Sequence, residues 1–113
     1  ITIISPADGT EIYEAMEALV NAPRPTYLRL NGAPGMPVVD QSGTSFEIGK
    51  ARVLSTGSDL TIIASGSMVS VALQVHQSLS EIGLISSVVN MHTVKPLDPE
   101  PILNLLVICL KDL

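Results

Sequence analysis

At 113 residues, 46% of them hydrophobic, the chain has the size of one compact unit with a modest core. A net charge of −5 and 3% aromatics without Trp exclude nucleic-acid and anionic-membrane binding built on basic and stacking side chains. The single cysteine, Cys109, forms neither an internal disulfide nor a thiolate metal cluster, and its apolar neighbours fit a buried thiol in a reducing, cytoplasmic setting. The mean hydropathy of +0.43 is high for so small a soluble unit, so some surface is expected to be covered by a partner or by further chain. No run approaches the roughly 18 apolar residues of a membrane span, and the opening Ile1-Thr2-Ile3-Ile4, with no initiator Met or signal-like stretch, reads as a strand cut from a longer chain.

Strand and helix patterns alternate, which predicts an α/β architecture. Residues 1–5 read as a strand. Asp8 and Glu11 have the spacing of a capping box, and Ile12, Ala15, Met16, Leu19 and Val20 follow on one helical face. Pro23 and Pro25 end that helix, and 26–30 is a second strand with Tyr27 and Arg29 opposite Leu28 and Leu30. Residues 31–44, with Gly32, Pro34, Gly35, Pro37 and Gly43, are the expected linker. Residues 46–54 suit a strand or hairpin, 56–59 a turn, and 60–64 a strand covered on both faces. Met68, Val71, Ala72, Val75, Leu79 and Ile82 line one side of the next helix, which Gly83 ends. Residues 86–91 are the next strand, and Asp98-Pro99 reads as an N-cap and first helical position. Two βα-type units therefore flank a Gly/Pro linker, and neither is large enough to be a full domain.

Three stretches together resemble the transketolase family. Ile4-Ser5-Pro6-Ala7-Asp8-Gly9-Thr10-Glu11 resembles a late strand–helix junction of the pyrimidine-binding domain. Phe46-Glu47-Ile48-Gly49-Lys50-Ala51, followed by Gly57-Ser58-Asp59-Leu60-Thr61-Ile62-Ile63-Ala64-Ser65-Gly66-Ser67, resembles the opening of the C-terminal domain. Val89-Asn90-Met91-His92-Thr93-Val94-Lys95-Pro96-Leu97-Asp98 resembles its next βα junction. Order and spacing agree up to about Ile102, after which the tail 105–110 departs from the pattern.

The resemblance implies a three-layer α/β/α, Rossmann-like C-terminal domain in residues 45–113, preceded in 1–44 by the last βαβ part of the pyrimidine-binding domain and the linker. It implies transfer of a two-carbon ketol unit between a ketose phosphate and an aldose phosphate, as in the pentose phosphate pathway. Thiamine diphosphate and Mg²⁺ are the expected cofactors, held mainly by upstream residues, so no catalytic, cofactor or metal residue is carried over and this section alone is expected to be inactive. A homodimer or an N-terminal partner subunit is implied as well. The family's substrate-phosphate Arg aligns with Gly32, and Arg29, three residues earlier, is the candidate replacement for binding substrate. Deoxyxylulose phosphate synthases and 2-oxo acid dehydrogenase β subunits share the Lys-Pro-Leu-Asp region with variations, and a non-catalytic α/β interaction module is the reading from another class.

Other polar residues have plain structural readings. Asp8 and Glu11 fit a cap better than an acid–base pair. His76 fits a packing residue, His92 a structural hydrogen bond, and Ser65-Gly66-Ser67 a capped turn rather than an anion site. Lys95 fits a contact between domains.

Overall fold

The computed structural model describes the backbone of residues 1–30, 37–39 and 43–111, and the side chains of these up to residue 105. The expected linker lies largely outside the described residues, as do Gly32 and the Cys109 side chain. The elements are β1 (Thr2–Ile4), α1 (Gly9–Asn21), β2 (Thr26–Leu28), β3 (Arg52–Ser55), β4 (Leu60–Ala64), α2 (Met68–Glu81), β5 (Ser86–Asn90), β6 (Thr93–Lys95) and α3 (Pro99–Lys111).

The strands form two sheets, β2-β1-β6 and β3-β5-β4. In the second, β5 is central, parallel to β4 and antiparallel to β3. Its five residues, Ser86 to Asn90, are all buried. Val89 packs with Met91 and with Leu105 of α3, beside Ala51 and Ile102. Val88, one position away, takes the opposite face, where α2 lies. This half is thus a helix–sheet–helix sandwich, as expected of a Rossmann-like α/β/α unit.

The first sheet contains a strand that sequence patterning does not reveal. β6 leaves the end of β5 and pairs antiparallel with β1, Ile3 opposite Lys95 and Ile4 opposite Thr93. Two further backbone bonds reinforce the joint: the Ser5 N–H donates to the His92 carbonyl at 2.8 Å and the Gly66 N–H to the Ser5 carbonyl at 3.1 Å. The halves on either side of the linker are therefore stitched by main-chain pairing, although each sheet remains separate.

Local chemistry explains most element ends. Asp8 accepts from the Glu11 N–H at 2.8 Å, and Glu11 reaches back to the Ala7 N–H at 2.8 Å, one residue short of the usual reciprocal partner. Gly83, at φ +86°, closes α2 in a Schellman motif: its N–H donates to Ser80 and that of Leu84 to Leu79. Asp98 accepts from the Glu100 N–H at 3.1 Å to cap α3 and from the Ala51 N–H at 2.9 Å to tie that helix to β3. Gly57 is required by proximity, since a Cβ there would lie 2.4 Å from the Ile85 carbonyl oxygen.

Several expected faces are corrected. The buried positions of α1 are Glu11 and Ala15, whereas Met16 and Val20 are exposed. In α2 the buried positions are Val69 and Ala72, and the stripe of Met68, Val71, Val75 and Ile82 turns outward. Both helices carry apolar residues on more than one face, and the sheet they pack against selects the face that is covered. β4 is an edge strand with Ile63 exposed rather than a doubly covered one. Ile4, expected to lack cover, is fully buried, Leu19 and Leu28 are half-buried, and Val20 is open to solvent.

Candidate functional site

Glu11 lies at the junction of the halves, at the first turn of α1, where β3 and β5 approach. It is 1% exposed, and both of its carboxylate oxygens accept hydrogen bonds. Oε1 accepts from Arg52 Nη1 at 3.2 Å and Asn90 Nδ2 at 2.6 Å, and Oε2 accepts from the Ala7 N–H. Arg52 Nη2 bonds Glu14 Oε2 at 3.0 Å and the Thr44 carbonyl at 2.8 Å. One guanidinium thereby ties α1, β3 and the segment following the linker, its fork matched to two carboxylates.

Burial pushes the Glu11 carboxyl above the ordinary carboxylate range. The Ala7 N–H, the Arg52 charge and the Asn90 amide pull the other way, while Asp8 adds to the rise. His92 is fully buried, its Nδ1 3.0 Å from Thr93 Oγ1 and its ring tilted against Phe46 at 4.1 Å between centroids. Burial, then the Arg52 charge, lowers its pKa to about 4, against the opposing pull of Asp98 and the Lys50 backbone, so the ring is neutral at pH 7.

This arrangement is a structural joint. Both Glu11 carboxylate oxygens accept from protein donors, Oε1 from two and Oε2 from one, and the group is buried. Glu11 and Glu14 face Arg52, so they do not fit as ligands for Mg²⁺, and among the described residues no group of three or more His, Cys, Asp or Glu forms a metal-binding set.

The other residues singled out in the sequence lie apart from this cluster. Arg29 follows β2, its side chain exposed and its N–H donating to the Ile4 carbonyl at 2.8 Å. His76 Nδ1 lies 2.8 Å from the buried Ser86 Oγ, a packing role. Ser67 occupies the N-cap of α2 without a side-chain capping bond, and the Gly66 N–H is directed at Ser5, which removes it from an anion site. Lys95 lies in β6, the strand that joins the halves. Arg52, Asn90 and Phe46 had no local signal: Arg52 is 41 residues from Glu11 and Asn90 is 79, separations over which sequence periodicity is silent.

The fold is an α/β arrangement in which Glu11 and Arg52 join the elements on either side of the linker, and comparison with known proteins identifies its family. The family described as Transketolase, C-terminal domain matches residues 49–109. A transketolase family protein of Sinorhizobium fredii is 39% identical over 103 residues, covering 91% of this chain and 30% of that protein. The 1-deoxy-D-xylulose-5-phosphate synthase of Synechocystis is 38% identical over 109 residues, 93% of this chain and 17% of the synthase. A solved structure of a split gene transketolase, an inactive beta4 tetramer, superposes with a TM-score of 0.85 at 32% identity, covering 91% of this chain and 34% of that one. The chain belongs to the transketolase family and spans about a third or less of these relatives. The match extends to residue 109, so residues 105–109 of the tail that reads as departing from the family fall within it.

Proposed function

We propose that the chain is the C-terminal section of a thiamine diphosphate-dependent transketolase that moves a two-carbon ketol unit from a ketose phosphate to an aldose phosphate. The likeness to the split gene transketolase carries this reading, because it extends over 91% of the chain, past the part matched by the C-terminal domain family alone. The domain boundary is assigned within residues 31–44: β1 and β2 precede it, the β3-β5-β4 sheet follows it, and β6 crosses back to pair with β1. The cofactor and its Mg²⁺ belong to sections outside this one, a reading supported by the Glu11 and Glu14 carboxylates being directed at Arg52. An N-terminal subunit or a second copy completes the enzyme, in a cytoplasmic setting. Arg29 contacts the substrate phosphate in place of an Arg at Gly32.

Calorimetric titration of the chain with thiamine diphosphate and Mg²⁺ tests the placement of the cofactor. No saturable heat is expected, and micromolar binding would refute it. The second reading, a deoxyxylulose phosphate synthase section, rests on the 38% identity to that enzyme.

A further inference from the structure

Three parts of the chain converge at one edge of the first sheet. β1 and β2 run parallel, so the connection after β1, residues 5–8, and Arg29, which follows β2, leave the sheet at the same carboxyl edge. Ligands of open α/β sheets bind outside that edge. Val39 reaches the same place, because its N–H donates to Asp8 Oδ2 at 2.8 Å. The Arg29 N–H is held on the Ile4 carbonyl at 2.8 Å. Ile4 and Asp8, the anchors of residues 29 and 39, therefore both border the β1–α1 connection.

One carboxylate serves two segments here. Asp8 Oδ1 accepts from the Glu11 N–H and caps α1, while Oδ2 holds Val39. The group is 2% exposed and both oxygens are engaged, so it presents no surface to a substrate. A cap needs a single acceptor oxygen, and Ser or Asn caps a helix about as well as Asp. The second oxygen is therefore not accounted for by α1. What it fixes is the return of the chain that leaves β2 at Arg29. An exposed arginine side chain has many rotamers, and recognition of a phosphate through it depends on how firmly its backbone is placed.

We propose that Asp8 is a positioning residue for the substrate phosphate: by pinning Val39 it fixes the chain that leaves β2, and with it the place of the Arg29 guanidinium at the carboxyl edge of β1 and β2. The proposal rests on the ketol-transfer reading with Arg29 as the phosphate contact. Asp8 acts through Arg29 and touches no reacting atom.

The test uses the parent enzyme carrying Asp8→Asn or Asp8→Ser. Asn keeps a capping oxygen but sets an amide N–H against the Val39 N–H, and Ser keeps the cap with one oxygen in place of two. In hydrogen exchange, both variants are expected to lose protection at the Val39 amide and to keep it along α1. In steady-state kinetics, both are expected to raise KM for an aldose phosphate several-fold, with a smaller change in kcat and none in KM for the same aldose without its phosphate. Arg29→Ala should do likewise, and adding Asp8→Asn to it should raise KM no further, since one residue acts through the other. Unchanged KM in both Asp8 variants beside a raised KM in Arg29→Ala would overturn the positioning role alone. So would retained Val39 protection, an equal rise for both forms of the aldose, or an additive double variant. Unchanged KM in Arg29→Ala would overturn the phosphate contact as well, and a parent without ketol transfer would overturn the reading beneath both.

Discussion

Replacing Arg52 by Met keeps the length and apolar stem of the side chain and removes the charge that bridges α1 to β3. Glu11 is left 1% exposed without its cation, and Glu14, 30% exposed, can turn to water. Breaking a buried pair by removing one partner costs about 3–5 kcal/mol. Glu11 retains the Ala7 and Asn90 donors, and its carboxyl already lies above the ordinary range, so it can take up a proton instead of remaining charged. The loss is therefore placed at the lower end, about 3 kcal/mol at pH 7, and is smaller at pH 5. Urea unfolding of Arg52→Met, Glu11→Gln and the double variant measures it. The double variant should recover at least about 1 kcal/mol of the sum of the single losses, as expected for groups in direct contact. An Arg52→Met loss below about 1 kcal/mol, the size of a surface pair, or additive single losses would show that the two halves are not held by this ion pair.

Three further outcomes follow from the same geometry. His92, with its pKa lowered to about 4 from 6.5, contributes stability that is complete above about pH 6.5 and lost as pH falls through 4, about 3 kcal/mol in all; Glu11, shifted upward, acts in the opposite sense, so the acid loss should be steeper in Glu11→Gln than in the parent; an unchanged slope would contradict the Glu11 assignment, and no acid loss in Glu11→Gln between pH 6.5 and 4 would contradict that of His92. Gly57→Ala places a methyl 2.4 Å from the Ile85 carbonyl and should lower stability by about 1–3 kcal/mol in thermal unfolding, with no loss counting against the close approach. Asp98→Ala removes the α3 cap and the Ala51 bond together, an expected loss of about 1–2 kcal/mol, whereas a loss of a few tenths would mean that water replaces both.

The sequence makes visible what depends on neighbours a few residues apart. Asp8 with Glu11, Gly83 after α2 and Asp98 before α3 are local grammar, and the structure has them as caps and stops. The span of β4 is legible from an unbroken apolar run, but its exposure is not, because a strand's place in the sheet depends on its partners. β6 is missed for the same reason: Thr93-Val94-Lys95 is three residues with no pattern, and what makes it a strand is the edge of β1. The outward stripes of α1 and α2 show the limit of helical periodicity where a helix has two apolar faces. Glu11 is legible as a cap and illegible as the centre of an ion pair, since Arg52 and Asn90 reach it through the tertiary fold.

The central claim is that these residues are the C-terminal section of a ketol-transferring enzyme. It is tested most directly by the parent protein, this section together with the upstream sections or partner subunit, assayed with thiamine diphosphate and Mg²⁺ for two acceptor products. With a ketose phosphate donor and an aldose phosphate acceptor, the predicted result is a two-carbon transfer, with an Arg29→Ala variant raising KM for the phosphorylated sugar more than it lowers kcat. No product from the ketose phosphate, with formation of deoxyxylulose phosphate instead, would contradict the account and favour the deoxyxylulose phosphate synthase reading.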